Sequence, residues 1–183
     1  MSTERSAERG EPNSGVARSF RIPHSAFRIG VALVATGCNP YTTRPPFVPL
    51  PDAPVAYVDA PRERVVPALR TWLEARGFRI DHAEPLDGYL VTAWYDPENK
   101  RSFSTERDVP NLARTFRLRC WLDPDVPGAT RIVVEAVYRP VYDPSRTPRD
   151  LEVLVPEGHE GRAVAERLMA EMKERFGVPP GRS

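Results

Sequence analysis

The side chains able to do chemistry are few, and their surroundings decide between roles. There are two cysteines, Cys38 and Cys120, and three histidines, His24, His82 and His159. Cys120 alternates with Phe116, Leu118 and Leu122, the period of a half-buried strand, so it reads as a core thiol and not as a nucleophile. Cys38 instead ends a run of nine uncharged residues, Ile29 to Gly37. A Cys38–Cys120 disulfide stays open for an oxidising compartment, although the two contexts differ sharply. No histidine has a second ligand at metal-site spacing, so His82 and His159 are expected as exposed loop residues, with no metal and no other cofactor. Asp123-Pro124-Asp125 brings two carboxylates together, but beside Pro127-Gly128 that is turn chemistry. The sequence contains neither a phosphate-cradling glycine loop nor a G-x-S-x-G elbow. The chain therefore reads as a non-enzyme. A net charge of +1 gives no electrostatic footprint for nucleic acid.

What is left is a surface. Arg117, Arg119 and Trp121 fall on the face of their strand opposite Cys120, and Arg131, Glu135 and Arg139 fall on the matching face of the next strand. Trp121 is expected to be exposed there, whereas Trp72 lies on the apolar stripe of a helix. These six residues are a possible interaction surface or, as readily, an ordinary solvated sheet face.

The elements that must position them follow from periodicity. Val55–Val58 reads as a short strand, and Asp59 ahead of Pro61 as a helix N-cap signal. Val65, Val66, Leu69, Trp72 and Leu73 recur at helical spacing up to Gly77, with Pro67 expected to start late or kink that helix. Strands follow at Phe78–Asp81 and Tyr89–Tyr95, joined through a tight turn at Asp87-Gly88, and then a long polar loop over 96–112. Thr115–Leu122 alternates, as does the run holding Ile132, Val134, Ala136 and Tyr138. Leu151–Val155 suits a short edge strand. Ala165, Leu168, Met169, Met172 and Phe176 form the buried stripe of a helix from Glu160 to Phe176, stopped by Gly177 and Pro179-Pro180. That order predicts an α+β fold: a two-layer sandwich of an antiparallel sheet of four to six strands with two helices on one face.

Composition divides the rest. Residues 1–37 carry five Arg and three Glu, with three Arg and no acid from Arg18 to Arg28, just before the apolar run. As a helix that run would be about 14 Å long, whereas a membrane span needs roughly 20 residues. It suits a cleaved export signal, or a short buried element ending at a free Cys. Of the 21 prolines, Pro40, Pro45, Pro46, Pro49, Pro51 and Pro54 lie within 39–54. Such a segment is expected to be extended and polyproline-like, reaching roughly 50 Å at about 3.1 Å per residue. It reads as a plain tether, with a docking segment gripping through Phe47, Val48 and Leu50 as the rival reading.

Two family resemblances sharpen this. Ala35-Thr36-Gly37-Cys38 resembles the lipobox of bacterial lipoproteins, with Ala35 where that family usually has Leu. The resemblance implies that residues 1–37 are a cleaved signal peptide and that Cys38 becomes the first residue, its thiol carrying diacylglycerol and its amino group a further acyl chain such as palmitate. Asn39 in place of Asp implies an outer-membrane position facing the periplasm. The stretches Pro67-Ala68-Leu69, Gly77-Phe78 and Gly88-Tyr89-Leu90-Val91-Thr92-Ala93-Trp94 resemble the helix-grip domains of the BamC (NlpB) lipoproteins. The expected organisation is then a signal peptide over 1–37, a Pro-rich tether over 38–54, a helix-grip-like α+β domain over 55–177 and a disordered tail over 178–183. The expected function is a membrane-anchored, non-enzymatic envelope protein that binds another envelope protein in outer-membrane assembly or maintenance. The alternative is a carrier of a small apolar ligand held between sheet and helix.

Overall fold

The computed structural model describes residues 44–103 and 111–182. Cys38 and the whole of the expected signal peptide lie outside the described residues.

The chain forms β1 (Val55–Val58), α1 (Arg62–Glu74), β2 (Ile80–Glu84), β3 (Tyr89–Thr92), β4 (Tyr95–Asp96), β5 (Arg101–Ser102), β6 (Arg117–Pro124), β7 (Thr130–Tyr138), β8 (Val153–Leu154) and α2 (Glu160–Phe176). The main sheet runs β1-β7-β6-β3-β2, with β8 also paired to β7. Every pairing is antiparallel. The edge of β7 away from β6 is thus shared by three partners. β1 pairs Thr130–Val133, Pro54 O accepts the Val134 amide at 3.1 Å, and β8 pairs Val137 and Tyr138. Both helices pack on the same face, as expected of a two-layer α+β sandwich.

The inner layer explains why. The alternation of β6 and β7 sends Leu118, Cys120, Leu122, Ile132, Val134 and Ala136 to one face, where they meet Val65, Leu69 and Leu73 of α1 and Ala165, Leu168 and Met172 of α2. Close packing sets two glycines. A Cβ on Gly161 would lie 2.9 Å from two Phe116 ring carbons, so the start of α2 packs on Phe116, just ahead of β6, with that position bare. Gly88 has φ +61°, and its carbonyl accepts the Leu122 amide at 2.8 Å; a Cβ there would sit 2.2 Å from the Leu122 carbonyl oxygen.

Several local expectations change. The N-cap of α1 is Pro61, not Asp59, and it caps with no side-chain hydrogen bond. Pro67 is inside the helix on its wet face, and the helix starts ahead of it at Arg62, not after it. The strand expected over 89–95 breaks after Thr92. The Ala93 amide bonds to Arg79 O at 2.9 Å, and Tyr95 pairs with Phe116 instead. The loop expected over 96–112 holds the small β4–β5 hairpin. The tail expected to be disordered packs back on the domain over 178–182: Pro179 is buried, and Arg182 pairs with Asp125 at 2.7 Å and lies over the Tyr57 ring.

The largest change concerns the tether. Residues 44–54 do not stand away from the domain. They lie as a strap across the outer face of the sheet, where Ala53 and Phe47 join Tyr89, Trp121 and Val133 in a second apolar cluster. The free-spacer reading fails for this half of the segment, and the apolar grip of Phe47 and Leu50 is spent on the chain's own sheet.

Candidate functional site

The outer face is built by register. Cross-strand partners Trp121 and Val133, Arg119 and Glu135, and Asp123 and Arg131 stand side by side on β6 and β7, with Tyr89 of β3 opposite Trp121. The chain beyond β7 then returns through a 3₁₀ turn at Pro148–Leu151 into β8, and brings Arg149 and Glu152 over the same face.

The result is an ion cluster out of water. Side-chain exposure is 2% for Arg119 and 0% for both Glu135 and Glu152. Glu152 accepts from three guanidinium groups: Arg117 at 2.6 Å, Arg139 at 3.0 Å, and Arg119. Glu135 accepts from Arg119 at 3.4 Å on one oxygen and from the Leu50 backbone amide on the other. Arg149 lies 3.7 Å from Glu135 and 3.8 Å from Glu152. Charges taken from water cost several kcal/mol each unless their partners are well placed, and here each carboxylate has at least two. Burial still pushes the Glu135 carboxyl up to about 7, against the opposing pull of the Leu50 amide and Arg117.

Aromatic rings finish the arrangement. Phe47 lies edge-on to Trp121, at 6.1 Å between centroids, with the Arg149 and Arg119 guanidinium carbons 4.1 Å and 5.4 Å from its own ring centre. Trp94 is similarly placed 5.0 Å from both Arg117 and Arg139. The Trp121 indole N–H is buried without an acceptor. Arg44 begins the strap, donating to Asp123 at 2.6 Å. Beside the strap remains an open cleft of about 530 Å³, lined among others by Phe47, Leu50, Val55, Asp123, Arg131 and Val133.

The six residues expected as an interaction surface are therefore together, but not in the expected state. Arg119, Trp121, Glu135 and Arg139 are buried, Arg117 is 22% exposed, and only Arg131, at 39%, stays near water. The solvated-face reading and the exposed-Trp121 reading both fail, for one reason: the strap and the 147–154 segment cover this face. Phe47, Arg149, Glu152 and Trp94 also belong to the site, and nothing in the sequence assigns Arg149, Glu152 or Trp94 to it. Phe47 alone had a signal, as an apolar residue inside a proline-rich stretch.

The remaining chemical candidates fall elsewhere. Cys120 is fully buried in the inner layer, and burial pushes its thiol up to about 12, as suits a core thiol. His159 is no loose loop residue. It is the N-cap of α2, its Nδ1 accepting the Gly161 amide at 3.0 Å, half-buried against Phe116 and Tyr138. His82 lies on β2, 6.0 Å from the Tyr89 ring. Among the described residues no group of three or more His, Cys, Asp and Glu is placed to hold a metal ion, and no helix is long and apolar enough to cross a membrane. Between the sheet and the C-terminal helix, the gap among Ala136, Val155, Arg162 and Ala165 leaves no volume open to water. No protein-family model matches the chain, and no curated protein matches it.

Proposed function

We propose that this chain is a cell-envelope lipoprotein, held by acylated Cys38 to a membrane, whose α+β domain is a non-enzymatic protein-binding module serving outer-membrane assembly or maintenance. The anchoring half rests on sequence: a basic leader, an apolar run too short to span, and Ala35-Thr36-Gly37 before the cysteine. Two or three acyl chains hold firmly where one holds weakly, since each buried methylene contributes about 0.8 kcal/mol. Asn39 favours the outer membrane, facing the periplasm.

The binding half is carried by one observation, the seating of residues 44–50 on the outer sheet face. That face takes an aromatic ring between two guanidinium groups and a backbone amide on a carboxylate. The segment seated there is proline-rich and meets aromatic side chains, as Pro-rich peptide ligands do in aromatic-lined grooves. The test is the mass of the mature N-terminal peptide from envelope preparations. A triacylated or diacylated peptide beginning at Cys38, absent in Cys38→Ser, is expected; an intact precursor with a free Cys38 thiol would overturn the anchoring.

A further inference from the structure

Resting on the lipid-anchor reading above, we infer that the end of the sandwich carrying the turns at 85–88 and 125–129 is the domain's membrane-facing surface, with Leu86 and Val126 touching lipid.

Three features meet at this end. β3 begins opposite the last residues of β6, where the Leu122 amide bonds to Gly88 O at 2.8 Å, so the β2–β3 and β6–β7 turns project from the same edge of the sheet. Each turn carries an apolar side chain in water: Leu86 is 71% exposed and Val126 47%. Such residues bury nothing in their own domain, and turns are made as well or better by polar ones. The third feature is where the strap begins. Arg44 donates to Asp123 at 2.6 Å and to Asp87 O at 3.4 Å, at the roots of both turns.

Length then decides which end faces the anchor. Cys38 is six residues before Arg44, at most about 20 Å along a fully extended chain. From Arg131, the cross-strand partner of Asp123, β7 runs to Tyr138 over about 23 Å at about 3.3 Å per residue. Just past that far end Val141 and Tyr142 are exposed as well. A domain standing on them with Cys38 at the bilayer surface draws the link to its limit or beyond, whereas with the two turns down the link is slack. Of two exposed apolar sites, only the near one is in easy reach of lipid.

Charge does not supply the attraction. Arg44, Arg62 and Arg182 near the turns each meet a carboxylate, Asp123 at 2.6 Å, Glu63 at 3.2 Å and Asp125 at 2.7 Å. This end thus offers no basic cluster to anionic headgroups. The short link supplies what two small apolar tips lack, a high local concentration of lipid.

The test uses the full chain, coupled through the Cys38 thiol to maleimide-headgroup lipid in phosphatidylcholine vesicles. Cys120 is fully buried, its thiol pushed up to about 12, so coupling goes to Cys38, and Cys38→Ser is the uncoupled control. Against the same chain capped with N-ethylmaleimide and free of vesicles, amide exchange over 85–88 and 125–129 is expected to slow by about three-fold or more, with 139–147 unchanged. Leu86→Ser with Val126→Ser, both at exposed positions, is expected to lose at least half of that slowing. Slowing at 139–147, slowing at neither end, or slowing that the double variant keeps overturns the inference. Slowing found in native envelope membranes but not on protein-free vesicles would make a protein the occupant, against the lipid inferred here. Because the coupling is chemical, an unacylated Cys38 in the cell leaves this result untouched, and bare turns on the vesicles leave the acylation of Cys38 untouched.

Discussion

Replacing Glu152 with Gln strikes the outer face where most contacts converge. Glu152 is fully buried and accepts from Arg117 at 2.6 Å, Arg139 at 3.0 Å and Arg119. Glutamine keeps the shape but removes the charge, and turns one acceptor oxygen into an NH₂ donor facing guanidinium donors. Among the named groups, four Arg then share one remaining carboxylate, that of Glu135. Removing one partner of a buried ion pair costs about 3–5 kcal/mol, mostly because the other charge is left in low dielectric. Arg117 is 22% exposed and turns partly to water, so the lower half of that range, about 3–4 kcal/mol, is expected here. For a domain of this size each kcal/mol moves Tm by about 2–4 °C, which gives a fall of roughly 10 °C. The assay is thermal unfolding followed by far-UV circular dichroism at pH 7, with the exposed Glu157→Gln as control. A loss of less than about 1 kcal/mol, or a loss matched by Glu157→Gln, would refute the claim that this carboxylate holds the cluster.

Two other perturbations follow from the same geometry. Glu135 has its carboxyl raised from 4.5 to about 7, chiefly by burial, so the folded chain holds that proton longer than the unfolded one. Its contribution to stability therefore declines as pH rises from about 4.5 to 7. Denaturant unfolding at pH 5 and pH 8 should show wild type losing stability relative to Glu135→Gln across that window, and the opposite slope would mean the arginines hold Glu135 ionised. Gly88→Ala places a Cβ 2.2 Å from the Leu122 carbonyl oxygen at φ +61°, so the β3 turn must shift and the Leu122–Gly88 hydrogen bond is lost. A cost of about 2–4 kcal/mol in chemical denaturation is expected from strain plus the lost bond, and a neutral substitution would show the turn to be pliable.

The sequence by itself determined the elements whose cause is local. The alternation of Phe116, Leu118, Cys120 and Leu122, and of Ile132, Val134 and Ala136, places these residues on one face in any strand of that period, because successive side chains point to opposite sides. The stripe from Ala165 to Met172, stopped at Gly177, likewise fixed α2. Buried Cys120 was legible for the same reason, as was the grouping of Arg117, Arg119, Trp121, Arg131, Glu135 and Arg139 on the opposite face.

Only the tertiary structure decided whether that opposite face meets water. A period-two pattern states that two faces differ, not what lies on each, and a charged face reads as wet by default. Here the cover comes from far along the chain in both directions: Leu50 and Glu135 are 85 residues apart, and Arg119 and Glu152 are 33 apart. Nothing local encodes such meetings. Proline fixes φ and removes a donor, so the sequence of 39–54 reads as extended, but such a reading suits a free spacer and a strap equally. The choice fell to three-dimensional fit: Phe47 found two guanidinium groups and an indole, and the Leu50 amide found the Glu135 oxygen opposite the one that faces Arg119.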